Sequence, residues 1–241
     1  MAVQLSKGHA SGDPAVATGK AFVYLYPQID IMDSELRKGS ITLKVWPREK
    51  EFARRTRMVT SEEGMQLLRK EATEDMTKEF RKIYEPLLNA SIDVRYRQNG
   101  YSVFFALLDG TNISDVIDVR PVDRIIYVGM DEKTHRTAGT NGRFPYPNQD
   151  YILNQLGPVS TLRISGFHMW DCVTRLAKRA HARNLDVLVD EDLTEFFGWR
   201  IKDADFRVDK YPTYDARGLD KWKFEQFIEA RKGKPWLWQD Y

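Results

Sequence analysis

Thr161-Leu162-Arg163-Ile164-Ser165-Gly166-Phe167-His168-Met169-Trp170-Asp171-Cys172-Val173 is a β-prone run that breaks at a glycine and passes straight into a helix-forming segment. The helix is expected over Met169 to Arg183, and Asp186-Val187-Leu188-Val189-Asp190 then reads as a second strand. Strand, helix, strand at this length is a βαβ unit, which requires a parallel sheet and a right-handed crossover. The fold expected from it is α/β: a doubly wound, mostly parallel sheet with helices on both faces.

Other runs extend that sheet. Ala21-Phe22-Val23-Tyr24-Leu25-Tyr26 and Val103-Phe104-Phe105-Ala106-Leu107-Leu108 are continuously apolar, as strands covered on both faces are. Arg124 to Val128 is a third strand, and Asp150 to Leu156 a short helix closed by Gly157-Pro158. Thr60 and Glu63 form a capping-box pattern ahead of Met65, Leu68, Ala72, Met76, Phe80, Ile83 and Leu87, an apolar stripe whose helix is expected to end at Pro86. Ile92 to Arg97 and Tyr101 to Leu108 flank Gln98-Asn99-Gly100, which reads as an inserted hairpin over about 91–108. The loop through Arg143-Phe144-Pro145-Tyr146-Pro147 is long for a connector.

Three further stretches complete the division. Residues 1–19 read as a flexible N-terminal arm, 20–200 as the α/β domain, and 201–241 as an aromatic-rich extension expected to pack on its own domain or on a neighbouring subunit. Within the domain, about 37–59 reads as a basic insertion in a short strand or extended arm. Its Arg54, Arg55 and Arg57 are either a solvated face or a surface for a polyanion.

Composition narrows the function classes. A net charge of +2 over 241 residues lacks the broad positive footprint of a dedicated nucleic-acid binder. One cysteine excludes an internal disulfide, and no apolar run is long enough for a membrane span or signal peptide, so a cytoplasmic protein is expected.

That cysteine, Cys172, lies six residues after Gly166. At a strand-to-helix junction the helix dipole and free N–H groups favour a thiolate, and the same groups suit an oxyanion. A small packed residue is the competing reading. His168 is a base for Cys172 or simply a solvent-facing side chain. His9, His135, His168 and His181 lack zinc-ligand spacing, so neither metal nor other cofactor is expected.

The segment Ile164 to Val173, followed by Val187-Leu188-Val189-Asp190, resembles the nucleophile segment of the isochorismatase/nicotinamidase superfamily of cysteine hydrolases. Ala21 to Tyr26 with Pro27-Gln28-Ile29-Asp30 is similar to that family's first strand and its Asp-x-Gln-x-Asp motif. The resemblance implies that Cys172 is the nucleophile, that the N–H groups of His168 and Cys172 form the oxyanion hole, and that the Phe167–His168 peptide is cis. It also implies losses. The family's Asp falls on Tyr26 and its Lys on or next to Val128, leaving Asp30, Asp109 or Lys133 as the available substitutes. Asp109 alone occupies a place comparable to the nicotinamidase metal ligands, without the accompanying histidines. Losing general acid–base help costs about 100- to 10,000-fold in rate. A catalytically degenerate binding or assembly subunit, homo-oligomeric or part of a larger protein assembly, is therefore expected, with an active amide or vinyl-ether hydrolase as the alternative.

Overall fold

The structure, a computed structural model, describes residues 19–43, 61–139, 142–203, 206–210 and 221–237. Residues 1–18 and the arginines Arg54, Arg55 and Arg57 lie outside the described residues. Five strands form one sheet: β1 (Gly19–Leu25), β2 (Ser102–Asp109), β3 (Arg124–Asp131), β4 (Val159–Gly166) and β5 (Asp186–Thr194). Every pairing is parallel, in the order β3-β2-β1-β4-β5. Ala21 to Leu25 and Val103 to Leu108 are buried without a break. Because successive side chains point to opposite faces, such runs require both faces to be covered.

The cover comes from the crossovers. Helices α1 (Ile29–Leu43) and α2 (Glu62–Arg95) connect β1 to β2 and pack against each other. The short α3 (Glu132–Arg136) and α4 (Gln149–Gln155) follow β3, and α5 (Thr174–Ala182) joins β4 to β5 and packs on α4. Strand order reverses direction at β1, so right-handed crossovers send α1 and α2 to one face and α4 and α5 to the other. The doubly wound α/β expectation is met. Gly39 makes the α1–α2 approach: a Cβ there would lie 2.2 Å from the Phe80 ring.

Four local expectations are corrected. No hairpin spans 91–108, because α2 continues to Arg95 and a 3-10 turn covers Arg97–Asn99. Phe80, Tyr84, Leu88, Ile92 and Tyr96 are all buried at four-residue spacing, so one apolar stripe carries the helix through the alternating Ile92 to Arg97 segment. Asn99-Gly100, with Gly100 at φ 75°, turns the chain from that helix into β2 instead. Pro86 sits inside α2 rather than at its end. Its ring is on the exposed side, where the carbonyl it leaves unbonded is solvated. The N-cap is Ser61, whose hydroxyl accepts from the Gly64 N–H at 3.1 Å, and not Thr60. Arg37 to Leu43, expected in an extended insertion, is the last part of α1.

Beyond β5 the chain continues through α6 (Phe197–Arg200) and α7 (Lys221–Arg231). The Val189 N–H of edge strand β5 donates to the Trp236 carbonyl at 2.8 Å, and Leu237 is fully buried in the core. Trp236 and Leu237 of the extension thus pack on the same domain. Buried ion pairs fasten this side: Arg95 bonds both oxygens of Asp190 at 2.9 Å and Asp192 at 3.2 Å. Arg200 bonds Asp192 at 2.7 Å, and Arg231 grips Glu191 at 2.8 and 2.9 Å. Among the described residues, no helix is long and apolar enough to cross a membrane.

Candidate functional site

In an open α/β sheet the crevice lies beyond the carboxyl ends of the strands where their order reverses, here between β1 and β4. A cleft of about 470 Å³ occupies that place, lined by Tyr26 and Gln28 after β1 and by His168, Asp171 and Cys172 after β4. Gly166 sets the geometry of the β4 exit. It sits at φ 104°, and a Cβ would fall 2.1 Å from the Leu25 carbonyl oxygen, so the chain crosses β1 in close contact before turning. The Phe167–His168 peptide is cis, and Met169–Val173 forms one turn of π-helix leading into α5.

Cys172 is buried, with the Tyr26 hydroxyl beside its thiol. Burial, reinforced by the Asp171 charge, pushes the thiol up to about 11. The Tyr26 hydroxyl, the Arg175 charge and the His168 backbone N–H pull the other way without compensating. Burial also raises Tyr26 well above the ordinary phenol range, so this residue is a hydrogen-bond donor and not a base. Tyr26 itself holds φ 60° directly after β1.

The other polar groups around the thiol face different partners. Asp171 accepts from Arg175 Nε at 2.7 Å and from the Tyr146 hydroxyl, while the Arg175 guanidinium lies 3.7 Å from the Tyr146 ring centroid. His168 Nδ1 lies 2.9 Å from Glu195 Oε2, and the same oxygen accepts from the Met169 N–H at 3.1 Å. That hydrogen bond to Glu195 raises the His168 pKa against the opposing effect of burial. Tyr26 stacks on His135 at 6.4 Å between centroids, and His135 Nδ1 donates to the Pro145 carbonyl at 2.9 Å. The long loop after β3 therefore supplies one wall.

The sequence-selected substitutes do not gather at the sulfur. Asp30 pairs with Arg136 at 2.7 Å on the surface, and Asp109 accepts from the Gly129 N–H at 2.9 Å. Lys133 lines a separate groove beside α3, and Val128 is buried in β3. None of these four lines the cleft. Gln28, His135, Arg136, Tyr146, Asp171 and Glu195 were not singled out. Only the length of the Arg143–Pro147 loop, and the place of Gln28 in the Asp-x-Gln-x-Asp-like segment, signalled any of them. Among the described residues, no group of three or more His, Cys, Asp or Glu side chains is placed to hold a metal ion.

No protein-family model matches the chain, and no curated protein matches it. A solved structure described as the crystal structure of an isochorismatase family protein is similar over 90% of this chain and 95% of that chain, at 16% identity and a TM-score of 0.37. At that similarity the chemistry of the cleft has to be read from this chain's own residues.

Proposed function

We propose that the chain is a catalytically degenerate relative of the isochorismatase-like hydrolases, a binding or assembly subunit that keeps the cleft and has lost nucleophilic chemistry. The observation that carries this reading is the surroundings of Cys172: a buried thiol held up to about 11, with a phenol as its polar side-chain neighbour. With the thiol at about 11, only about one molecule in ten thousand carries the thiolate at pH 7. Among the described residues neither an ammonium group nor an unpaired carboxylate supports it; Asp171 is committed to Arg175 and Tyr146.

An active cysteine hydrolase with a relocated base is the second reading, favoured by the pairing of His168 with Glu195 on the same cleft. It requires the imidazole to reach Sγ, yet the groups that stabilise the thiolate are the Tyr26 hydroxyl, Arg175 and the His168 backbone N–H. The polyanion reading rests on Arg54, Arg55 and Arg57, outside the described residues.

Alkylation by iodoacetamide separates the first two. The chain has a single cysteine, so mass spectrometry reads Cys172 alone. The degenerate reading expects the rate to climb about tenfold per pH unit from about 7 to 10 with no plateau. A plateau reached below about pH 8 means an activated thiolate and defeats it.

A further inference from the structure

Gln28 is fully buried, yet it lines the open cleft, and neither its amide nitrogen nor its amide oxygen meets a hydrogen-bond partner among the described residues. Its backbone is held on both sides. Gln28 bridges Ile113, its carbonyl accepts from the Met32 N–H at 3.0 Å, and the preceding Pro27 carbonyl accepts from the Ser114 N–H at 2.8 Å. A buried amide with neither donor nor acceptor paired to the protein is rare in a folded chain, and at a concave site it is a candidate for ligand recognition. We propose that Gln28 is the recognition residue for a flat, uncharged heterocycle carrying an N–H donor beside a carbonyl acceptor, a lactam or ureide ring.

Three observations select that class, and the inference rests on reading the cleft as a binding site. A carboxylate would satisfy only the Gln28 N–H groups and an ammonium only its oxygen, whereas a ring N–H next to a carbonyl satisfies both at once. The charged groups around the cleft are already matched: Arg136 by Asp30 at 2.7 Å and Glu132 at 2.6 Å, Asp171 by Arg175 at 2.7 Å, and His168 by Glu195 at 2.9 Å. No net charge is therefore demanded of the ligand. The walls are ring-shaped, from Tyr26, His135, Tyr146 and Phe144, and about 470 Å³ accommodates a single small heterocycle stacked among them.

The test uses the full chain and three probes in titration calorimetry: uracil, which carries the donor–acceptor edge, benzoate, which carries acceptors alone, and benzylamine, which carries donors alone. Saturable uracil binding is expected, with benzoate and benzylamine at least tenfold weaker. Gln28→Leu, close in volume and apolar, should weaken uracil at least tenfold while its thermal midpoint equals or exceeds that of the parent, since an unpaired buried amide is removed. The proposal is overturned by no saturable uracil binding, by equal binding of benzoate or benzylamine, by a Gln28→Leu variant that binds as the parent does, or by one whose midpoint falls, which would give Gln28 a structural partner. Iodoacetamide labelling on the same samples keeps the two readings apart. A low-pH plateau defeats catalytic degeneracy and leaves the Gln28 result standing, and failed uracil binding with a rising alkylation profile does the reverse.

Discussion

Two buried polar regions of this molecule differ in how fully they are paired. On β5, Asp190, Glu191 and Asp192 are all buried, and each is answered by an arginine, with the Tyr96 hydroxyl adding a 2.5 Å bond to Asp190. Beyond β1, Gln28 is equally buried and unanswered, and Cys172 has a phenol for company. Desolvating a polar group is tolerable only when a partner replaces water. A saturated network therefore holds structure together, and a vacant one beside a cleft is a place for something else. The arginines of the first region come from α2, α6 and α7, so the network ties the C-terminal extension and the long helix to the same strand.

The largest effect should come from breaking the saturated side. Arg95→Met keeps most of the side-chain volume but strips Asp190 and Asp192 of a guanidinium that also bonds the Arg207 and Val208 carbonyls. Removing one partner of a buried pair costs about 3–5 kcal/mol. Urea unfolding at neutral pH should register that loss, against no loss for Gln28→Leu. If the two variants proved equally stable, the contrast between the regions would be gone.

The next effect is a pH dependence. Burial raises Glu191 from 4.5 to about 7 in the folded chain despite the Arg231 pair. The folded state therefore holds this proton more tightly than the unfolded state does. The stabilisation is fully present below about pH 4.5 and is lost as pH rises through about 7. A shift of that size corresponds to about 3 kcal/mol. Glu191→Gln, which cannot titrate, should have a flatter stability profile than the parent between those limits. Parallel profiles for the two proteins would remove Glu191 as the source.

The same contrast explains what could be read from the sequence. Strands β1, β2, β4 and β5 and the turn carrying Cys172 were legible because buried parallel strands are continuous apolar runs and a glycine marks the β4 exit. Ile92 to Arg97 misled because alternation over six residues fits a strand, while the stripe from Phe80 to Tyr96 is visible only when the window spans the whole helix. Cys172, Tyr26 and His168, which lie near motifs, line the cleft. Glu195 was not, since its role comes from β5 ending beside the His168 turn, a tertiary fact without local pattern. Asp30, Asp109 and Lys133 were plausible from position along the chain, but Arg136 on the surface and the Gly129 N–H of β3, both distant in sequence, claim the two carboxylates.

The smallest effect concerns a satisfied pair at the cleft, His168 with Glu195. His168 is more than half exposed, so its contact with Glu195 carries little stability, but it sets the titration of the ring. The hydrogen bond to Glu195 is the leading cause of the raised His168 pKa, with burial and the Lys38 charge opposing it. In Glu195→Gln the opposing influences remain and the carboxylate is gone, so the His168 midpoint should fall, read by NMR titration of the ring protons. With Glu195 in place, Nδ1 of the imidazole is held 2.9 Å from that carboxylate. An unchanged midpoint would mean that the ring is not held by Glu195 and is free to turn toward Cys172. The vacant region would then contain a base after all, and the hydrolase reading would regain the element it lacks.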